Sequence, residues 1–451
     1  MAFNSMGSLF YLLCQWLLTV VVVPLCSFEA AGILTLSISL TNVFFTLATF
    51  GIRIFQVSDS QGKYGPGLYI STRVFTCLCS FALCAAFLLC NRQYTAEQVL
   101  CILFYMLYRI GEALVDVLAG EEQKAYRFDY VGLSFLFRGL TTLLSFSLVL
   151  YCTRNLTLTL LVMAVMTLGV VLAYDGRKVK ALTGFRLHLS FRESLPLLRE
   201  AWPLMLNSAL LTLLAALPRY FLEMYHGSEL LGYFGSVSTP AVIIQAGCSF
   251  IYTPLVAPLS SRFARGDLRD FRRMLLLALG GVLGFAACMF AGAALLGRWG
   301  LALLFGQAIL PYAFLLLPVL GSTLCISLIY FFEVPLTIGR RLKVMTAIHG
   351  GAVVVAAAVS LLAIPAQGLQ GVLLALYASA GHGRGYGPDV PQGRNARLKL
   401  VIGAKLLFRD MDRGSIQASL SRGASFAEKK AVLCFTENIP CAIIKRFCAG
   451  R

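Results

Sequence analysis

Charge is what this 451-residue chain has little of. Only 13% of its residues are Asp, Glu, Lys or Arg, about half the share in a soluble domain. The 14 cysteines are scattered. Cys77 and Cys79 make C-x-C, and no zinc or redox spacing occurs. They read as small apolar helix residues, and no metal and no cofactor is expected. A GxxxxGK[ST] phosphate loop is missing, which excludes a self-contained ATP-driven pump. The alternation of an outer-membrane barrel is absent. The N-terminus lacks the basic segment of a cleaved signal, so its first apolar run stays as a span.

What is there is apolar. The chain is 58% hydrophobic with a mean hydropathy of +0.79, and apolar runs of about 20 residues, each enough for a transmembrane helix, recur along it. Helices are the only open-chain way to cross lipid with the backbone satisfied. The expected fold is therefore all-α and polytopic. Spans are predicted at 7–27, 31–50, 70–90, 98–119, 131–152, 156–174, 201–222, 230–256, 274–296, 308–332 and 343–364. A twelfth begins at Gly368.

The formal net charge is +17. In a soluble protein that would suggest nucleic acid. Here the cations collect on every second loop, at Arg53, Lys63 and Arg73, at Lys124 and Arg127, at Arg177 to Arg199, at Arg262 to Arg273 and at Arg340 to Lys343. The other loops hold only Arg92, Arg154 and Arg298. The positive-inside rule makes the first set cytoplasmic. Both termini are then inside, the bilayer is the partner, and no nucleic-acid partner is needed.

The basic segment 175–200 divides the spans into an N-terminal six-helix lobe, 1–174, and a C-terminal lobe, 201–380, with five spans and a partial sixth. Ser190 and Glu193 fit a capping box that would start a short interfacial helix. The apolar run GLQGVLLALYASAG stops at Gly381, too short to cross a bilayer. Residues 381–451 form a basic, non-spanning tail. It reads either as a genuine cytoplasmic tail or as out-of-frame translation. The composition breaks in mid-helix, not at a loop, which favours the second, a truncated last helix.

Charge inside the spans is the functional clue. In YRIGEALVDVLAG, residues Arg109, Glu112 and Asp116 share one helical face of the fourth span. Arg138 lies on the fifth. Asp116 and Arg138 are equally far in sequence from the turn near Arg127, so they are expected to pair. Arg109 and Glu112 are i, i+3 neighbours. The four make either a structural network or one wall of a hydrophilic cavity, and intramembrane charge favours the cavity. Arg219 follows Pro218 in the seventh span with Glu223 one turn on. It reads as a snorkelling interface residue or a cationic point in the cavity. Arg53, at the inner end of the second span, reads as a positive-inside anchor or a cavity residue.

The segments GIRIFQVSD, YRIGEALVDVLAGEEQ, LPRYFLEMYHGSELLGYFGSV, PLSSRFARGD and LLFGQAILPYAFLLLP, in this order, resemble the polysaccharide-flippase branch of the multidrug/oligosaccharidyl-lipid/polysaccharide exporter superfamily. The resemblance is strongest to the O-antigen and capsule repeat-unit flippases and covers residues 5 to 380. It implies two six-helix lobes around a cavity that opens alternately to each side of a bacterial inner membrane. It implies an undecaprenyl-diphosphate-linked oligosaccharide as substrate, an ion gradient as driving force, and polymerase and chain-length partners of the same pathway. The substrate-binding candidates are Arg109, Arg138, Arg219 and Arg53. The ion-coupling candidates are Glu112, Asp116 and Glu223. A multidrug or metabolite cation antiporter of the same superfamily is the competing reading. A membrane polysaccharide polymerase fits less well, because the external loops are short and poor in charge and His.

Overall fold

The computed structural model describes residues 2–59, 63–185, 190–338 and 342–379. Among these the regular structure is entirely helical. Eleven helices are long and apolar enough to cross a membrane. The chain beyond Ser379, and with it the reading of 381–451, lies outside the described residues.

The first group comprises α1 (Ala2–Leu25), α2 (Phe28–Thr49), the short α3 (Ile52–Ser58), α4 (Pro66–Cys90), α5 (Ala96–Lys124), α6 (Phe128–Thr153) and α7 (Leu156–Val170). Helix α7 continues through a π-turn, Val171–Gly176, into α8 (Arg177–Thr183). The starts follow capping chemistry. Ser27 and Asn155 accept the amide protons of Ala30 and Leu158, and Pro66 opens α4 where its missing N–H costs nothing. Thr95 and Gln98 form a reciprocal capping box at α5.

The second group begins with α9 (Phe191–Ser238), which is two limbs joined at Gly227. Its φ of 82° there suits glycine and turns the chain back. The expected interfacial helix after Ser190 is instead the first turns of this long span. Ser190 is the N-cap residue, but its side chain makes no capping hydrogen bond. Helices α10 (Ala241–Tyr252) and α11 (Val256–Ala264) complete the return passage after a break at Pro240. Then come α12 (Leu268–Phe305), a 3-10 segment Gln307–Leu315, α13 (Leu316–Ile338), α14 (Leu342–Gln367) and α15 (Leu369–Ser379). The partial twelfth span is thus present as α15. It packs on α14 and α9, and Tyr377 Oη donates to the Pro318 carbonyl at 2.7 Å.

Leu295 and Leu89 are 84% and 79% exposed. Large apolar side chains stay outside because lipid, not water, is their solvent. Helices α2 and α9 form the main seam between the two groups. At one end, Gly32 meets Ser228 and Gly232 meets Phe28 so closely that a Cβ at either glycine would strike a backbone carbonyl. Small residues allow this approach, and dispersion between bare backbones holds it. At the other end, Thr72 Oγ1 donates to Ser194 Oγ at 2.9 Å, and Phe50 packs on Trp202. The seam is closed at both ends.

Candidate polar site within the helices

The charged face of α5 points into the first group, as its spacing requires. Its partners differ from the expected ones. Arg138 Nη1 on α6 donates to Glu112 Oε1 at 2.5 Å, and Arg138 Nε donates to Ser134 Oγ at 3.2 Å. Asp116 is held by Arg73 Nη2 at 2.8 Å and Arg53 Nη1 at 3.1 Å. Equal distance from a turn sets depth, but not the direction of the side chain. The four-residue step from Glu112 to Asp116 rotates the carboxylate by about 40°, which carries Asp116 toward α3 and α4. The anticipated single network is therefore two.

Arg73 also replaces its assigned role as a loop cation. Helix α4 starts at Pro66, so Arg73 sits two turns inside and is fully buried. Its Nη1 donates to the Ala48 carbonyl at 3.0 Å. Arg53 Nη2 reaches Gln123 Oε1 at 3.2 Å. Gln56 donates to the Val117 carbonyl and to Glu121, at 2.9 and 2.8 Å.

Arg109 does not bridge to Glu112 among the described residues. Its guanidinium lies 3.7 Å from the Phe45 ring centroid on α2, and its Nε is buried without a hydrogen-bond partner. In the second group, Arg219 lines a narrow cavity of about 70 Å³ with Phe234, Ser238, Gln245, Ser322 and Thr323. Among the described residues it has no ion pair or hydrogen bond. Glu223 is mostly buried and accepts from Gln98 Nε2 and Ser228 Oγ, both at 2.6 Å. It ties the start of α5 to the bend of α9.

Four further titratable residues, three buried and one partly buried, were not anticipated. Asp175 was placed in the linker by hydropathy, yet it lies in the π-turn and is 1% exposed. Glu122, also 1% exposed, faces it from α5. Among the described residues neither oxygen of Glu122 has a hydrogen-bond partner, and Asp175 lies beside Ser134 and Arg138. Glu333 on α13 and His349 on α14 meet in the second group, 3.1 Å apart. Glu333 fell one residue past the predicted end of its span, and a histidine carries no formal charge to draw attention. Among the described residues no three or more of His, Cys, Asp and Glu are arranged to hold a metal ion.

No known family profile matches the chain. A capsular polysaccharide biosynthesis protein, CapF, from Staphylococcus aureus is 24% identical over 304 residues, 65% of this chain and 74% of that protein. In three dimensions the chain is similar to lipid II flippase MurJ in an inward closed conformation. The TM-score is 0.68 at 11% identity, over 98% of this chain and all of the other. The Vibrio cholerae MATE transporter VcmN superposes with a TM-score of 0.56 at 14% identity, over 84% and 91% of the two chains. A transporter of the MOP superfamily from Pyrococcus furiosus gives 0.53 at 13% identity, over 85% and 93%. With its helices in the same arrangement as all three, this chain has the all-α fold that these three membrane proteins share.

Proposed function

We propose that the chain is a flippase that moves undecaprenyl-diphosphate-linked oligosaccharide repeat units from the inner to the outer leaflet. It does so for surface polysaccharide assembly, in a bacterial inner membrane, with both termini cytoplasmic. The two helix groups act as the two lobes. They rock about the α2–α9 seam to open a shared cavity first to one side and then to the other, driven by an ion gradient. No covalent chemistry is part of this cycle. Polymerase and chain-length proteins of the same pathway are its partners.

The observation that carries this reading is the pair of uncompensated arginines. Arg109 and Arg219 lie inside the two helix groups with no carboxylate partner among the described residues. A buried guanidinium normally acquires a counter-anion, and a diphosphate supplies one with bidentate geometry. Arg53 and Arg138 are satisfied by Asp116 and Glu112. In this reading they shape the cavity wall and Arg109 and Arg219 meet the substrate. The likeness to a lipid II flippase and to CapF supports a lipid-linked saccharide. The competing reading, a cation antiporter, draws on the buried carboxylates of Glu122 and Asp175.

The test is reconstitution. Protein in proteoliposomes is given a fluorescent polyprenyl-diphosphate oligosaccharide, and its leaflet is read by quenching. Flipping should be protein-dependent. Arg109→Ala and Arg219→Ala should each slow it roughly tenfold or more, the loss expected for a charge-assisted hydrogen bond. Lysine at either position should restore part of the rate. Full activity in both alanine variants would overturn the assignment of the substrate contacts.

A further inference from the structure

Glu333 and His349 are used by nothing in the scheme above. His349 Nε2 lies 3.1 Å from Glu333 Oε1, and the side chains are 3% and 18% exposed. Among the described residues His349 Nδ1 and Glu333 Oε1 each lack a hydrogen-bond partner. Glu333 is five residues from the end of α13 and His349 seven from the start of α14. At 1.5 Å per residue both lie roughly 8–10 Å inside their helix ends. They therefore share one depth within the apolar layer. Helix α14 packs on α9, α13 and α15, and α13 also packs on α10 and α12. Tyr252 on α10 and Tyr330 on α13 are near enough to feel the charge of Glu333. Among the described residues neither member forms an ion pair with any other group.

That isolation fixes the chemistry. With a neutral imidazole and an ionised carboxylate the pair carries −1 in a low-dielectric layer, with no cation among the described residues to offset it. One added proton brings it to zero. The proton can sit on Oε1 or on Nε2, which lie 3.1 Å apart. Histidine is the side chain whose ordinary affinity places this exchange in the physiological range. Intramembrane ionisable pairs of this kind serve as proton relays.

The geometry points to Glu333 and His349 as a one-proton binding site that couples proton movement to the conformational cycle of the second lobe. Binding forms one O–H or N–H bond with a proton taken from water on the side to which the lobe is open. Release after reorientation breaks that bond and returns the proton to water on the other side. The pair alternates between −1 and 0, and only the neutral form tolerates full burial. This inference rests on the transporter reading for its purpose, but not for its existence as a proton site.

Two measurements separate those parts. The full chain contains four histidines, His188, His226, His349 and His382. In protein labelled with nitrogen-15 histidine in lipid nanodiscs, His349→Gln assigns the His349 signals. These should titrate in a single step between about pH 5 and 8, and Glu333→Gln should shift the midpoint by about one pH unit or more. A His349 signal that does not change with pH, or a midpoint unmoved in Glu333→Gln, overturns the proton site. In proteoliposomes, an imposed proton gradient should accelerate wild-type flipping. That acceleration should be lost in Glu333→Gln and His349→Gln and regained in the exchanged double variant Glu333→His with His349→Glu. Single variants that keep the full response to the gradient overturn the coupling. A wild-type protein that flips nothing refutes the flippase reading alone, because the nuclear-resonance titration still decides the proton site.

Discussion

Replacing Arg138 by methionine should be severe, and replacing Glu112 by glutamine as well should repair it. The reason is burial. Arg138 and Glu112 are 2% and 11% exposed, and they contact at 2.5 Å. Tyr11 and Phe135 stack on the guanidinium at 4.9 and 5.1 Å, which keeps water away from it. Removing one member of a buried pair leaves an uncompensated charge and costs about 3–5 kcal/mol. Removing both leaves an apolar chain beside a neutral amide, which is often near neutral. Methionine preserves most of the volume that packs on Tyr11. The predicted coupling energy between Arg138→Met and Glu112→Gln is therefore about 2–4 kcal/mol, the fraction of the single-variant cost that the second change returns. The assay is a double-mutant cycle on thermal unfolding of purified protein in detergent, followed by loss of the monodisperse peak. If the two effects simply add, the pair is not desolvated and the account of the α5–α6 contact is wrong.

Three other outcomes follow from the geometry. Gly232→Val places a branched side chain against the Phe28 carbonyl; it should force α2 and α9 apart, raise thiol labelling of cysteines introduced beside Ser228, and lower transport. Glu122→Gln removes a buried carboxylate that has no hydrogen-bond partner among the described residues and should raise thermal stability on the order of 1 kcal/mol; a loss would mean that these oxygens have partners. Asp59, in the loop after α3, is held below its ordinary value of 3.8, first by the Lys63 backbone N–H and further by those of Tyr64 and the Tyr69 hydroxyl. A depressed carboxylate stabilises the fold above its unfolded value and loses that contribution as pH falls through the folded one. Asp59→Asn should therefore flatten the decline in stability at the acid end and leave the neutral region nearly unchanged; an unaltered acid profile would refute the role of that carboxylate.

Hydropathy was enough to place the spans, because lipid demands about 20 apolar residues at each crossing and loops that do not cross escape that demand. It was enough to single out the α5 face, because a charge in lipid is costly wherever it points. It was not enough to pair Asp116. A linear count gives depth, whereas the choice between Arg138 and Arg73 turns on azimuth around α5 and on where α4 begins. Arg73 looked like a loop cation only because the Pro66 start was not used. Asp175 was lost at a span boundary for the opposite reason, since a π-turn keeps the helix going past the end of its apolar run. Arg219 was recognised as a cavity candidate, but its surroundings are a property of four helices together and no local spacing encodes them.

The Gly32–Gly232 crossing has a consequence for how such a machine ages and adapts. A seal made of main chain has no rotamers to reorder, no ionisable group to titrate and no thiol or thioether to oxidise at the point of contact. Closing it costs little side-chain entropy, and the fit is the same on every cycle. Salt, pH and the identity of the cargo leave that surface unchanged. In the flippase we propose, selectivity and energy input then fall to the arginines and carboxylates of the lobes, which can diverge with the cargo while the latch is kept.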